Sequence, residues 1–194
     1  GRSPAPHCRR RGHDPARVWE NRTRYFAAIG LDAERICTIR QVHGMEIVRV
    51  LRRDAGRGAR DYADALADAD ALITNDSGVS LMLCFADCVP VLLYDPVRHA
   101  IGVVHAGWKG TVARIAAQTI ARMGEEFGTA ASDVLAGIGP SISADCYTVG
   151  AEVAEQFRTA FPAHADQIVQ ERDGAIHLDL WAANRVQMVA AGVL

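Results

Sequence analysis

The stretch Phe85–Thr111, FADCVPVLLYDPVRHAIGVVHAGWKGT, sets a thiol and an imidazole at the ends of two apolar runs. Those runs, Val89–Tyr94 and Ala100–His105, flank the turn signal Asp95-Pro96 and read as adjacent strands. Paired antiparallel, with opposed residue numbers summing to about 193 or 194, they put Cys88 beside His105, roughly 5 Å away on the neighbouring strand. A thiol and an imidazole held together by backbone pairing make either a metal site or a nucleophile with its base. His43, in Gln41-Val42-His43-Gly44, adds a second imidazole. Two imidazoles and one thiolate are a donor set for zinc, with the fourth position left for water or substrate. The spacings, 45 residues from His43 to Cys88 and 17 from Cys88 to His105, match no local metal-finger pattern. Only the fold can bring the three together.

Two further groups stand near these residues. Gly107-Trp108-Lys109-Gly110 leads into a helix, so free N–H groups and the helix dipole over Gly107–Thr111 favour an anion, and Lys109 adds a positive charge. Asp87, next to Cys88, is placed to relay a proton or to steady a ligand by hydrogen bonding. Each residue also has a plainer role. Cys88 can be a small core residue, His43 a turn residue and His105 a satisfied core histidine. Strand alternation points Asp87 away from Cys88, which fits a turn aspartate. Lys109 can be an exposed residue of an ordinary glycine-rich turn, and Trp108 is read as a core filler rather than a stacking platform.

The elements that must position these groups read as follows. Residues 1–13 carry Pro, Arg and Gly without an apolar period, a loose lead-in. Asp14-Pro15 starts a helix, with Asp as N-cap and Pro in the first turn; Val18, Arg22, Tyr25, Phe26 and Ile29 follow at helical spacing and Gly30 ends it. Ile36–Val42 and Glu46–Val50 read as strands around a His43-Gly44-Met45 turn, and Arg52–Ala67 as a mobile loop with one helical turn. Ala69–Thr74 and Val79–Phe85 are strands separated by Asn75-Asp76-Ser77-Gly78. Thr111–Phe127 is an amphipathic helix burying Val112, Ile115, Ala116, Ile120, Met123 and Phe127. Val134–Ile138 is a strand, Glu152–Phe161 a helix ended by Pro162, Ile168–Val169 and Ile176–Leu178 short strands, and Asp179 caps a helix through Ala191. Strands follow strands more often than they alternate with helices, so the fold class is α+β, with mixed or antiparallel sheets covered by helices.

Composition bounds the function. A chain of 194 residues holds one substantial core, read as a single catalytic domain over 14–194. A net charge of −2 argues against a general nucleic-acid binder, and Arg9-Arg10-Arg11 reads as a solvated tail. No stretch approaches a membrane span and no apolar secretory segment is seen. The five cysteines, 8, 37, 84, 88 and 146, read as reduced thiols of a cytoplasmic protein. A Cys84–Cys88 disulfide is disfavoured because strand residues four apart hold their Cα atoms too far away. Nothing in the chain sets an oligomeric state.

Four motifs in order, Gln41–Gly44 (Gln-Val-His-Gly), Ala86–Leu93 (Ala-Asp-Cys-Val-Pro-Val-Leu-Leu), Val104–Gly110 (Val-His-Ala-Gly-Trp-Lys-Gly) and Gly137–Ile142 (Gly-Ile-Gly-Pro-Ser-Ile), resemble the YfiH or laccase-domain family. Cys146–Gly150 and Asp14–Arg22 resemble it too, so the likeness runs over about residues 14–191. The resemblance implies a layered α-β-β-α sandwich like the catalytic domain of cytotoxic necrotizing factor. It also implies a metal bound by His43, Cys88 and His105. The family was first described as copper polyphenol oxidases and later assigned phosphorolysis of adenosine, inosine, guanosine and methylthioadenosine, and deamination of adenosine. The family's Thr-x-Arg-x-Gly-Gly and Phe-Ser-Tyr-Arg-Arg segments are not among these residues, so phosphate is left to Lys109, which holds it as a point charge rather than a fork. Asn184 and Arg185 match a family motif and read as structural.

A multicopper oxidase needs a blue site and a three-copper cluster. Beyond His43 and His105 only His7, His13, His99, His164 and His177 remain, in unrelated segments. A single His/His/Cys site suits zinc, with copper as the alternative occupant. The reading is therefore a cytoplasmic, zinc-dependent enzyme taking a purine nucleoside and phosphate, with Cys88, Asp87 and Lys109 in the chemistry. Two rivals stand beside it: a metal-free cysteine hydrolase using Cys88 and His105, and an inactive binding module.

Overall fold

The structure is a computed structural model and describes residues 14–194; the expected lead-in over 1–13 lies outside the described residues. At its centre the strands Val89–Asp95 and Ala100–Ala106 pair antiparallel, as their apolar patterning predicts. Val89, Val91 and Leu93 are buried while Leu92 and Tyr94 face out, the period of two expected of a pleated strand. The register differs from the expected one: Pro90 faces His105 and Val89 faces Ala106, so opposed numbers sum to 195. The turn is the cause. Asp95 is fully buried and its Oδ1 accepts the N–H groups of Val97 at 2.8 Å and Arg98 at 3.0 Å. This holds Pro96–His99 in the turn, with His99 in the left-handed region at φ 51°, and pairs Asp95 with Ala100. Relative to a sum of about 193 the slip is two residues, which keeps side chains on their faces, whereas a slip of one would reverse them. Cys88 precedes the ladder instead of sitting in it, on the side that His105 faces.

This hairpin lies inside a five-stranded sheet. In spatial order the strands are Ile47–Arg49, Ala71–Thr74, Ala100–Ala106, Val89–Asp95 and Leu135–Ile138. The first pair is parallel and the others antiparallel. The helix Ile115–Phe127 covers one face with Ile115, Ala116, Thr119, Ile120 and Met123, against Ala71, Ile73, Val91, Leu93 and Val104. Each large aliphatic chain buried there contributes about 1.5–3 kcal/mol. On the other face Leu72 and Val103 pack with Cys37, Ile39, Val50 and Ala69. A second sheet of Thr148–Val149, Ala175–Leu178 and Val169–Arg172 joins the first cluster through Phe157, Ile168, Leu178 and Leu180. The architecture is a mixed α/β fold with several sheets and helices. Among the described residues no helix is long and apolar enough to cross a membrane.

Caps and turns behave as read. Asp14 accepts the Ala16 N–H at the start of Pro15–Ala28, Asp179 accepts that of Ala182 at the start of Leu180–Ala190, and Gly30 and Gly78 supply left-handed residues. Several boundaries differ. Tyr25 and Ile29 of the first helix are exposed, and the buried contacts come from Phe26 with Trp19. The segments expected as strands around His43 reduce to Ile36–Cys37, Arg40–Gln41 and Ile47–Arg49, each paired parallel with a different later strand. Val79–Phe85 keeps only Ser80–Leu81 as strand. The expected mobile loop Arg52–Ala67 carries two short 3-10 turns, and Arg22 and Arg40 bond its carbonyls at Ala59 and Ala65. The expected helix Thr111–Phe127 is two helices, Trp108–Val112 and Ile115–Phe127, broken where Arg114 sits at φ 62°. Arg114 is held there from outside the helix: its guanidinium donates to the Ala160 carbonyl at 2.6 Å and lies over the Phe161 ring.

Because the Asp95 carboxylate shapes the turn that sets the register, Asp95→Ala removes a buried acceptor from two N–H groups. The expected cost is about 1–3 kcal/mol, read as a lowered urea midpoint at unchanged slope.

Candidate metal centre

Three chain segments meet at one end of the hairpin. The first is the turn Val42-His43-Gly44, where His43 adopts φ 59°. A left-handed non-glycine residue needs outside support, and here it comes from Asp70. The N–H groups of Val42 (3.3 Å), His43 (3.0 Å) and Gly44 (2.6 Å) all donate to the Asp70 carboxylate. Gln41 ties the same segment to the chain before Cys88, its side-chain amide exchanging hydrogen bonds with the backbone of Cys84 at 2.8 and 2.9 Å. The second segment is the end of Ala100–Ala106. There the His105 N–H donates to the Asp70 carbonyl at 2.7 Å, and His105 Nδ1 meets Asp70 Oδ1 at 2.7 Å. The third is the bend before Val89, which presents Cys88.

The ligand atoms of His43, Cys88 and His105 lie within 4.8 Å of one another. Among the described residues this is the one group of three or more His, Cys, Asp or Glu side chains able to hold a metal ion. The His43 and His105 rings meet edge to face at 4.9 Å, and the Phe85 ring lies 5.7 Å from that of His105. The third wall is Gly107, where a Cβ would stand 3.0 Å from Cys88 Sγ and 3.2 Å from His43 Cδ2. Only glycine leaves the sulfur and the ring undisturbed. Two nitrogens and one sulfur so placed suit zinc or copper chemically.

The electrostatics follow from the same contacts. Burial by itself pushes the His105 pKa down, but its hydrogen bonds to Asp70 and Cys88 and the charges of both outweigh that and raise it to about 9. Burial pushes Asp70 the opposite way, yet the bonds from His105 and the Gly44 and His43 N–H groups hold it below its ordinary value. Burial and the nearby Cys88 and Asp87 raise Tyr147. Without a cation His105 is held protonated beside the Asp70 carboxylate. With one, the imidazole must give up a proton to become a ligand.

The other expected residues fall outside the three-residue cluster. Asp87 is exposed and its carbonyl accepts the Ile142 N–H at 3.1 Å. Lys109 is exposed, with Nζ 5.6 Å from the centroid of the Trp108 ring, and Trp108 packs against the main core as read. The helix behind Gly107 is five residues long, a weaker anion site than the long helix expected. Asn184 is buried and bonds Thr111 Oγ1 at 3.1 Å, a structural role. Cys84 is disulfide-bonded, so the expectation of five reduced thiols fails there; Cys37, Cys88 and Cys146 are free.

Sequence reading missed Asp70 and a cleft. Asp70 carried one signal, an acidic residue within the apolar run Ala69–Ile73, since a buried carboxylate requires partners. The cleft, about 470 Å³, is lined by Gly139, Pro140, Trp181 and Arg185 among others. Gly139 packs on Pro90, the residue opposite His105, and Trp181 Nε1 donates to Ser141 Oγ at 2.6 Å.

The raised His105 and lowered Asp70 pKa values set a pH window. The His105 contribution is complete below its ordinary value of 6.5 and is lost as pH rises through about 9. The Asp70 contribution is present above its ordinary value of 3.8 and is lost as pH falls. In metal-free protein the stability gap between the native chain and His105→Gln is therefore widest at about pH 5–6 and narrows toward pH 9. Urea unfolding across that range reads it.

The sequence profile described as Multi-copper polyphenol oxidoreductase laccase matches residues 7–194. "Purine nucleoside phosphorylase YlmD" of Bacillus subtilis (strain 168) is 44% identical over 154 residues, covering 79% of this chain and 55% of that protein. The chain thus spans about half the length of that relative. "Adenosine deaminase RL5", from an unknown prokaryotic organism, is 37% identical over 183 residues, 94% of this chain and 70% of that protein. The crystal structure of YlmD from Geobacillus stearothermophilus superposes with a TM-score of 0.89 at 38% identity, covering 94% of this chain and 68% of that one. The profile match and the near-identical fold place this chain in the multi-copper polyphenol oxidoreductase laccase family, the YfiH or laccase-domain family that its four motifs resemble.

Proposed function

We propose that this chain is a zinc-dependent enzyme of purine nucleosides, cytoplasmic and built as one catalytic domain over residues 14–194. It catalyses phosphorolysis of adenosine, inosine, guanosine and methylthioadenosine, and deamination of adenosine. The observation that carries the reading is the convergence of His43, Cys88 and His105 within 4.8 Å, in a chain whose relatives are named purine nucleoside phosphorylase and adenosine deaminase. As part of the same reading, the five- and three-stranded sheets with their helices belong to a layered α-β-β-α sandwich like that of cytotoxic necrotizing factor.

In this reading His43, Cys88 and His105 hold the ion, zinc by preference and copper as the alternative occupant. When bound, zinc acts as a Lewis acid and lowers the pKa of a coordinated water to about 7. The remaining work falls to the chain. The cleft beside Pro90, about 470 Å³, is of a size for a nucleoside. Trp181, 40% exposed, offers its ring to the base. Lys109 meets phosphate as an exposed point charge. Phosphorolysis breaks the bond between ribose and purine while a phosphate oxygen bonds the anomeric carbon, and the departing base takes a proton. Deamination adds water at C6 and releases ammonia. Asp87, beside Cys88, moves the proton in either case. One metal-capable group among the described residues supports a mononuclear site over the blue and trinuclear copper centres of a laccase. The cysteine hydrolase reading is supported by the hydrogen bond between His105 and Cys88, with Cys88 as nucleophile and His105 as base.

Elemental analysis of the purified protein beside Cys88→Ala tests the metal: near-stoichiometric zinc is expected in the first and little in the second, and equal metal in both overturns the reading. Iodoacetamide separates the rivals, because a zinc thiolate is protected until chelator is added while a dyad reacts at once. Adenosine assayed with and without phosphate identifies the reaction: inosine alone marks deamination, and free base with ribose-1-phosphate marks phosphorolysis. Neither product from metal-loaded protein sinks the substrate assignment. Gly107→Ala drives a methyl against Cys88 and His43 and weakens zinc uptake on the order of tenfold, with secondary structure retained by circular dichroism.

A further inference from the structure

We infer that Asp70 is the positioning residue of the centre, a single carboxylate that fixes where both imidazoles stand and which nitrogen of His105 faces Cys88. The inference rests on the metal reading above and concerns a residue outside the three ligands.

Asp70 is fully buried. Its Oδ1 takes the His43 N–H at 3.0 Å and His105 Nδ1 at 2.7 Å, and its Oδ2 takes the N–H groups of Gly44 at 2.6 Å and Val42 at 3.3 Å. Two consequences follow. An ionised carboxylate only accepts, so the proton between it and His105 belongs to Nδ1. The lone pair that can bind a cation is then on Nε2, the nitrogen left to hydrogen-bond Cys88. This is the arrangement in which a carboxylate orients a ligand histidine and raises its basicity. Second, three successive N–H groups converging on one acceptor hold His43 in the left-handed conformation that aims its ring across Gly107 at the same point. A backbone bond, from the His105 N–H to the Asp70 carbonyl at 2.7 Å, keeps the two residues in register whatever their side chains do. Asp70 is not one of the three clustered ligands, and acts through the two histidines.

Asp70→Asn tests this at nearly constant volume. The amide NH2 must face either the N–H groups of Val42 and Gly44 or the His105 ring. The first leaves donors opposed, and the second drives the proton of neutral His105 to Nε2. Zinc affinity, measured by competition with a chromophoric chelator, is expected to fall about 10–100-fold. Imidazole 15N NMR of the zinc-loaded native protein is expected to show His105 protonated at Nδ1 and ligated through Nε2. An affinity within about twofold of native overturns the inference, as does a native spectrum with Nε2 protonated. The native spectrum decides even if the variant does not fold. If neither the native chain nor Cys88→Ala takes up zinc, the metal reading has failed. In that case imidazole NMR of the metal-free native chain still reports separately on Asp70, because a His105 ring without a proton on Nδ1 overturns the inference.

Discussion

A carboxylate sealed from water is costly unless it is surrounded by donors. Asp70 lies at the end of a buried strand with no exposed surface, and the protein supplies it with three backbone N–H groups and one imidazole. Those donors come from segments 26–35 residues away. Satisfying this charge therefore dictates tertiary structure, because the Val42–Gly44 turn and the end of the Ala100–Ala106 strand must both arrive at the same place. The backbone pairing of Ala71–Thr74 with Ala100–Ala106 delivers one. The bonds of Gln41 to Cys84 help to deliver the other.

The centre divides into a rigid part and an adaptable one. His105 stands on a central strand packed against the Ile115–Phe127 helix, and Gly107 gives the sulfur and the second ring room to approach. Asp87, Lys109, Trp181 and Arg185 are exposed. Donors that must meet a cation at short, fixed distances are built on sheet and turn geometry, whereas groups that would meet a variable substrate sit where side chains are free to adjust. The same trio is chemically suited to a metal or to a thiol–imidazole dyad.

Much of the architecture was legible in the residues because its causes are local. Asp14 before Pro15, Asp179 before the last helix, Gly78 after Asn75-Asp76-Ser77, and the apolar strand Val89–Tyr94 each act within a few positions, and each is found as read. The ordered motifs carrying His43, Cys88 and His105 likewise marked the residues that meet. Where the reading slipped, the deciding atoms were distant or unseen. The hairpin register moved because the Asp95 side chain folds back on its own turn. The long helix broke at Arg114 because Ala160 and Phe161 hold it. The short strands around His43 found parallel partners far along the chain.

The sequence by itself pointed to the three side chains that cluster and to the two strands of the hairpin, since side-chain type and apolar runs are properties of the chain alone. Tertiary structure alone decided that Asp70 stands behind two of them and that Gly107 leaves space for the third. Those depend on segments brought together only by packing the sheet, and no spacing along the chain encodes the distance between atoms that meet across it.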